Sequence, residues 1–220
     1  MVDRAQPDAL TICEIFASIQ GESTFAGLPC VMVRTTGCNL RCTYCDTKYA
    51  FDGGTELSID EILTRVDSYG LALVEITGGE PLMQPAAFPL MCRLCDRGYT
   101  VLLETNGSLD ITGVDQRVVR IVDIKTPSSG AGDADLWSNL EVLRLQDEIK
   151  FVLADRRDYE FAVDVMRKHE LAKRSKVLMG VVFGTLEPAT LAEWILADRL
   201  PVRMQIQLHK VIWEPSARGV

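Results

Sequence analysis

Residues 30–47 read CVMVRTTGCNLRCTYCDT, and residues 71–81 read LALVEITGGEP. Each is an apolar, β-branched run cut off by glycine and polar residues, the pattern of a strand buried on both faces that ends in a loop. Similar runs recur at Leu10–Phe16, Thr100–Thr105, Val118–Ile124, Glu148–Leu153, Lys176–Phe183 and Val202–Leu208. Counting Cys30–Thr35 and Leu71–Thr77, eight strands are predicted. Helix-length segments separate most of them. Ser58-Ile59-Asp60-Glu61 has capping-box spacing, so a helix is predicted from there to about Ser68, stopped by Gly70. Further helices are predicted over Pro85–Arg97, with Gly98 as terminator, over Arg156–His169, and over Pro188–Ala197, with proline in the first turn. Residues 105–116 are too interrupted for a helix, and residues 126–135, TPSSGAGDAD, are loop by composition. Six strands from Cys30 to Phe183 thus alternate with crossover segments. A full barrel of eight such units needs about 250 residues. A 220-residue chain therefore predicts an α/β fold with a partial (β/α)6 TIM-like barrel, an extra N-terminal strand and a C-terminal strand, all in a single domain over residues 1–220.

The composition, 47% apolar with 25% charged residues, fits one globular domain without internal repeats. With 23 basic against 31 acidic residues the net charge is −8, which argues against a broad nucleic-acid surface. The opening MVDRAQPDALTICEIF lacks a basic-then-apolar leader pattern, and no apolar run reaches the roughly 18 residues that a membrane span needs. The expectation is a cytoplasmic protein with no membrane partner. Seven cysteines do not contradict it, because a chain of this length buries a sizeable core without disulfides.

Three of the seven, Cys38, Cys42 and Cys45, form a C-x3-C-x2-C run directly after a strand. Three thiolates within eight residues suit a soft metal centre, either an iron–sulfur cluster or zinc. Structural zinc takes four ligands, usually from paired C-x2-C units. A [4Fe–4S] cube on three cysteines instead leaves one iron open. A polar Asn-Leu-Arg loop is a poor place for three core cysteines. Cys92 and Cys95 make a second C-x2-C on one face of a predicted helix, where packing is the expected use, and Cys13 and Cys30 fall in apolar strand patterns and read as core.

Cys38, Cys42, Tyr44 and Cys45 together resemble the signature of radical S-adenosylmethionine (radical SAM) enzymes, and Gly78-Gly79-Glu80-Pro81 resembles that superfamily's Gly-Gly-Glu motif. The segment Ile19-Gln20-Gly21-Glu22, the ending Cys45-Asp46-Thr47, ETNG at 104–107, DIKTPSSG at 123–130 and QLHK at 207–210 narrow the likeness to the 7-carboxy-7-deazaguanine synthases. The resemblance implies a [4Fe–4S] cluster on the three cysteines, S-adenosylmethionine held by Tyr44, Cys45, Asp46, Gly79, Asp123, Ile124 and Lys125, and Mg2+ at Thr47. It implies a pterin substrate touched by Ile19, Gln20, Gly21, Arg34 and Thr77. The implied reaction is ring contraction of 6-carboxy-5,6,7,8-tetrahydropterin to 7-carboxy-7-deazaguanine with loss of ammonia, a lyase step towards queuosine and other 7-deazapurines. A flavodoxin or ferredoxin as electron donor and a homodimer are implied likewise, and the radical chemistry rests with the cofactor rather than a catalytic side chain.

The residues themselves leave alternatives. Arg34 within an apolar strand needs an anion, which is either a substrate carboxylate or a structural partner. The Gln20 amide either reads an aminopyrimidinone edge or braces a loop. Lys125 either anchors cofactor or forms a structural ion pair. Glu104 and Asn106 are further candidates for the cofactor ribose. The family usually has glycine where this chain has Ser23, and Met179-Gly180-Val181-Val182 lacks a polar residue for the cofactor. Residues 212–220 carry no assignment. The competing functions are a glycyl-radical-enzyme activase, which shares cluster and barrel, and a non-catalytic zinc-binding module.

Overall fold

A computed structural model describes residues 8–220. Part of the stretch read for a leader, residues 1–7, lies outside the described residues. The elements run β1 (Ala9–Ile19), β2 (Pro29–Thr35), β3 (Thr55–Ser58), α1 (Ile59–Tyr69), β4 (Leu73–Gly78), α2 (Ala87–Asp96), β5 (Thr100–Thr105), β6 (Val119–Asp123) and β7 (Glu148–Leu153). Then follow α3 (Arg156–Lys168), α4 (Leu171–Arg174), β8 (Lys176–Val181), α5 (Pro188–Asp198), β9 (Arg203–Met204) and α6 (His209–Ile212). One sheet carries all the strands in the order β3-β1-β2-β4-β5-β6-β7-β8-β9. From β2 onward every neighbour is parallel, while β1 pairs antiparallel with both β2 and β3. This is the expected partial barrel: six parallel strands from β2 to β8, with the two-residue β9 as a seventh at the edge, open at both edges.

The helices follow their sequence signals. α1 starts on a complete capping box between Ser58 and Glu61 and ends on Gly70 at φ 65°, a backbone conformation that costs glycine little. Two crossovers lack an α-helix: β5 to β6 runs through turns, and β6 to β7 through short 3-10 segments such as Trp137–Val142. Three expectations change. β3, sequence TELS, is a strand that no apolar pattern announces; it exists because its backbone pairs with Ala9–Ile12 of β1. The C-terminal strand expected over Val202–Leu208 shrinks to Arg203–Met204, since the chain leaves the edge to form α6. Cys13 and Cys92 are half-buried rather than core. Cys13 is the extra residue of a bulge where the β1–β2 register shifts between Ile12 and Glu14, and Cys92 faces Asp96 and Arg117 on the outer side of α2.

Alternation along the strands divides the interior. Val31, Val33, Val74, Ile76, Val101, Leu103, Phe151 and Leu153 face the helices and form the main core. The opposite face turns inward. Near the N-terminal ends of the strands it is apolar, with Cys30, Leu73, Leu102 and Ile121 packed together against Phe25 and Met32. Towards the C-terminal ends it becomes charged, with Glu75, Glu104, Asp123 and Lys150 on four successive strands. The plug closes one end of the barrel, and the charges floor a cavity at the other.

Candidate active site

The cavity measures about 940 Å3 and lies across the C-terminal ends of the parallel strands. Cys38, Cys42 and Cys45 line it from the loop after β2. Cys38 accepts hydrogen bonds from Leu40 N at 3.4 Å and from the Asn106 amide at 3.8 Å. Burial pushes up the Cys42 and Cys45 thiols, a bias that metal binding overcomes by replacing the proton. Among the described residues, no three His, Cys, Asp or Glu side chains converge on one point as ligands of a single ion must. Three thiols lining one cavity suit a cube, where each thiolate takes its own iron.

The Gly-Gly-Glu segment packs against this loop. A Cβ on Gly79 would lie 2.1 Å from the Gly37 carbonyl oxygen and 2.9 Å from Cys38 Cβ, so only glycine fits. Glu80 N donates to the Gly37 carbonyl at 2.8 Å. The Glu80 side chain is fully buried and accepts from Leu82 N at 3.0 Å, from the Thr105 hydroxyl at 2.9 Å and from Asn106 N at 2.7 Å. It therefore ties the end of β4 to the end of β5 and leaves the glycine backbone facing the cavity beside the cysteines.

On the substrate side expected from sequence, Ile19, Gln20, Gly21, Arg34 and Thr77 all line the cavity. Arg34 and Thr77 are register partners on β2 and β4. Arg34 Nε donates to Glu14 at 2.8 Å, and Glu14 also accepts from the Tyr49 hydroxyl at 2.9 Å. This is the structural ion pair, yet it engages only one edge of the guanidinium. The Gln20 amide is the loop brace: its nitrogen donates to Glu75 at 2.6 Å and its oxygen accepts from Glu22 N at 2.5 Å. Burial, reinforced by the Glu104 carboxylate, raises the Glu75 carboxyl well above the usual range.

On the cofactor side, Tyr44, Asp46, Asp123 and Lys125 line the same cavity, with Thr47 beside them. Lys125 donates to Asp123 Oδ2 at 2.7 Å, while Asp123 Oδ1 is buried without a hydrogen-bond partner among the described residues. The orphaned oxygen faces the space that a cationic or hydroxylated ligand would fill. Ile124 sits between Asp123 and Lys125 in sequence. Its side chain belongs to the main core on the outer face of the sheet, and its N–H donates to the Lys150 carbonyl at 2.9 Å. Asp46 accepts from Lys210 at 2.7 Å and from the Thr47 hydroxyl at 2.9 Å; burial would raise its carboxyl, but Lys210 outweighs that and brings it to about 2.

Sequence reasoning missed how the chain's end completes the site. Leu208 N donates to the Gly21 carbonyl at 2.9 Å, and Gln207 donates to Glu22 at 2.9 Å, so QLHK docks directly onto IQGE. A Cβ on Gly21 would fall 2.2 Å from His209 Nδ1. Residues 214–220 then border the cavity, with the Arg218 guanidinium 4.0 Å from the Tyr49 ring centroid. Lys150 was missed as well, because a lysine in the apolar run EIKFVL gives no sign of which face it occupies.

The radical SAM superfamily profile matches residues 32–125, which carry both motifs. The 7-carboxy-7-deazaguanine synthase of Chlorobaculum tepidum is 52% identical over 96% of this chain and 97% of its own length. That of Koribacter versatilis is 46% identical over 96% and 100%. The crystal structure of QueE from Escherichia coli superposes with a TM-score of 0.75 at 23% identity, covering 91% of this chain and 95% of that one, a likeness of fold. Among the described residues no helix is long and apolar enough to cross a membrane. With both motifs on one cavity and near full-length identity to those synthases, the chain belongs to the 7-carboxy-7-deazaguanine synthase family of the radical SAM superfamily.

Proposed function

We propose that the protein converts 6-carboxy-5,6,7,8-tetrahydropterin to 7-carboxy-7-deazaguanine with release of ammonia. One observation carries the reading: Ile19–Gly21, the three cysteines with Tyr44, Asp46 and Thr47, Thr77–Gly79 and the pair Asp123 and Lys125 all border a single cavity of about 940 Å3, large enough for two small molecules. When bound, the cluster and S-adenosylmethionine would supply the radical chemistry at the pterin ring.

The chain positions and shields. Cys38, Cys42 and Cys45 would hold the cluster; Gly79, the backbone around Tyr44–Asp46, and Asp123, Lys125 and the Ile124 backbone would hold the cofactor. Arg34, with one guanidinium edge braced by Glu14, offers its other edge to the substrate carboxylate. Thr77 stands beside it, and the braced Ile19-Gln20-Gly21 segment gives a wall of fixed backbone rather than a mobile side chain. The Thr47 hydroxyl, donating to Asp46, keeps its lone pairs for Mg2+, which commonly takes the rest of its shell from water and ligand. A flavodoxin or ferredoxin supplies the electron, and the enzyme works as a cytoplasmic homodimer.

The test is anaerobic turnover of the carboxytetrahydropterin with S-adenosylmethionine, reductant and magnesium, assayed for the deazapurine. Conversion, with brown protein absorbing near about 400 nm, is expected. Intact cluster without product favours the activase, and colourless zinc-loaded protein the binding module. Cys42→Ala is expected to abolish both the absorption and cofactor cleavage.

A further inference from the structure

Lys150, in the middle of β7, projects into the barrel interior and is only 6% exposed along its side chain. Its ammonium meets carboxylates from three elements: Glu22 after β1 at 3.1 Å, Glu104 on β5, and Asp123 at the end of β6 at 3.9 Å. The three do not depend on it equally. Asp123 has Lys125 at 2.7 Å, and Glu22 has Gln207 at 2.9 Å. Glu104 has no other ion pair among the described residues. Its other contacts are the Thr77 hydroxyl, at a long 3.5 Å, and a hydrogen bond from the buried carboxyl of Glu75.

We propose that Lys150 is the positioning residue of the substrate floor: its ammonium clamps the Glu22 loop to β5 and holds the Glu104 carboxylate in place beside Thr77. The inference rests on the reading that this floor takes the pterin. Glu75 and Glu104 already share a hydrogen bond, and without the clamp nothing opposes that pairing, so the two buried carboxyls hold a common proton and Glu104 is drawn away from Thr77. The cofactor side is spared, since Asp123 retains Lys125.

The charged groups facing this cluster are few. Glu22, Glu75, Glu104 and Asp123 surround Lys150; Arg34 faces Glu104 from β2; and Asp46, Lys210 and His209 approach from the cluster loop and the C-terminal segment. On β7 itself, Glu148 is committed to Thr24 at 3.1 Å and Lys176 at 3.7 Å. Burial alone would raise the Glu104 carboxyl; Lys150 more than offsets this and keeps it lowered. Removing the cation reverses the sign, so Glu104 becomes protonated at pH values where it is now ionised.

The experiment is steady-state kinetics of the reconstituted holoenzyme from about pH 6 to 8, comparing wild type, Lys150→Met and Lys150→Arg. In Lys150→Met the pterin KM is expected to rise about tenfold or more, the loss falling on that KM rather than on substrate-free cofactor cleavage. Its kcat/KM should climb with pH across this range, whereas wild type and Lys150→Arg stay flat there. A Lys150→Met profile superimposable on wild type overturns the proposal, and so does an equal loss in substrate-free cleavage. If that variant does not fold, Lys150→Met/Glu104→Gln replaces it, because the carboxylate most dependent on Lys150 is then neutral. The double variant should keep the KM defect and lose the pH dependence; a KM within about threefold of wild type overturns the proposal. Absence of turnover by wild type would instead strike the proposed function itself.

Discussion

Arg34 shows how one side chain satisfies two demands. Its Nε is fixed by Glu14, and the rings of Phe16 and Tyr49 flank the guanidinium at 5.9 Å, so the fork is oriented before any ligand arrives. Arg34→Ala is expected to lower kcat/KM for the pterin by about 100-fold, the value of a charge-assisted pair, with the loss appearing in turnover rather than in substrate-free cofactor cleavage. Normal turnover would remove Arg34 from the substrate site. Ser23 is the opposite case, a residue held against its preference. It adopts φ 62°, a region that favours glycine and costs a residue with a Cβ about 1–2 kcal/mol. Its hydroxyl accepts from Phe25 N at 3.0 Å and its own N–H donates to Gln205 at 2.9 Å, bonds that offset the strain and keep the glycine-type turn.

At the scale of elements, the cavity depends on how strand ends are joined. Glu80 is the joint between β4 and β5, with three donors converging on one buried carboxylate. Glu80→Ala strands all three and is expected to destabilise the fold by about 3 kcal/mol or more, seen as a lower thermal midpoint together with weaker S-adenosylmethionine binding; a variant that melts and binds like wild type would refute the joint. Elements whose signals are local were legible in sequence. The capping box and Gly70 marked α1, and apolar runs marked the six parallel strands. β3 was not legible, since TELS becomes a strand only by pairing with β1. For the same reason residues 205–208 gave a false strand signal: Gln205 and Gln207 alternate with Ile206 and Leu208, yet both glutamines turn to Glu22 and the Ser23 turn. The motifs identified the site's members, whereas Lys150 and the docking of the C-terminal segment depend on contacts across more than a hundred residues.

For the molecule as a whole, the opposite side of the sheet holds the acid-sensitive charge. Asp147 is fully buried and accepts from Arg120 and Arg144, including the Arg144 backbone at 2.8 Å. Burial would raise its carboxyl, but the Arg120 and Arg144 hydrogen bonds outweigh that and hold it below the usual range. Because the folded value is depressed, the stabilisation is complete above the unfolded value of about 3.9 and is lost as pH falls through the folded one. Denaturation from pH 7 downward should show this loss in wild type. Asp147→Asn should be destabilised by about 3–5 kcal/mol at pH 7 and show a shallower acid slope; equal slopes would exclude Asp147 as the source.

The apolar plug of Cys30, Leu73, Leu102 and Ile121 beneath the charged floor acts beyond packing. Hydrocarbon polarises weakly, so field lines from Lys150, Glu104 and Asp123 are squeezed away from the closed end and leave through the mouth. The barrel works as an electrostatic funnel, in which an approaching pterin or sulfonium is sorted by charge and orientation before it touches a side chain.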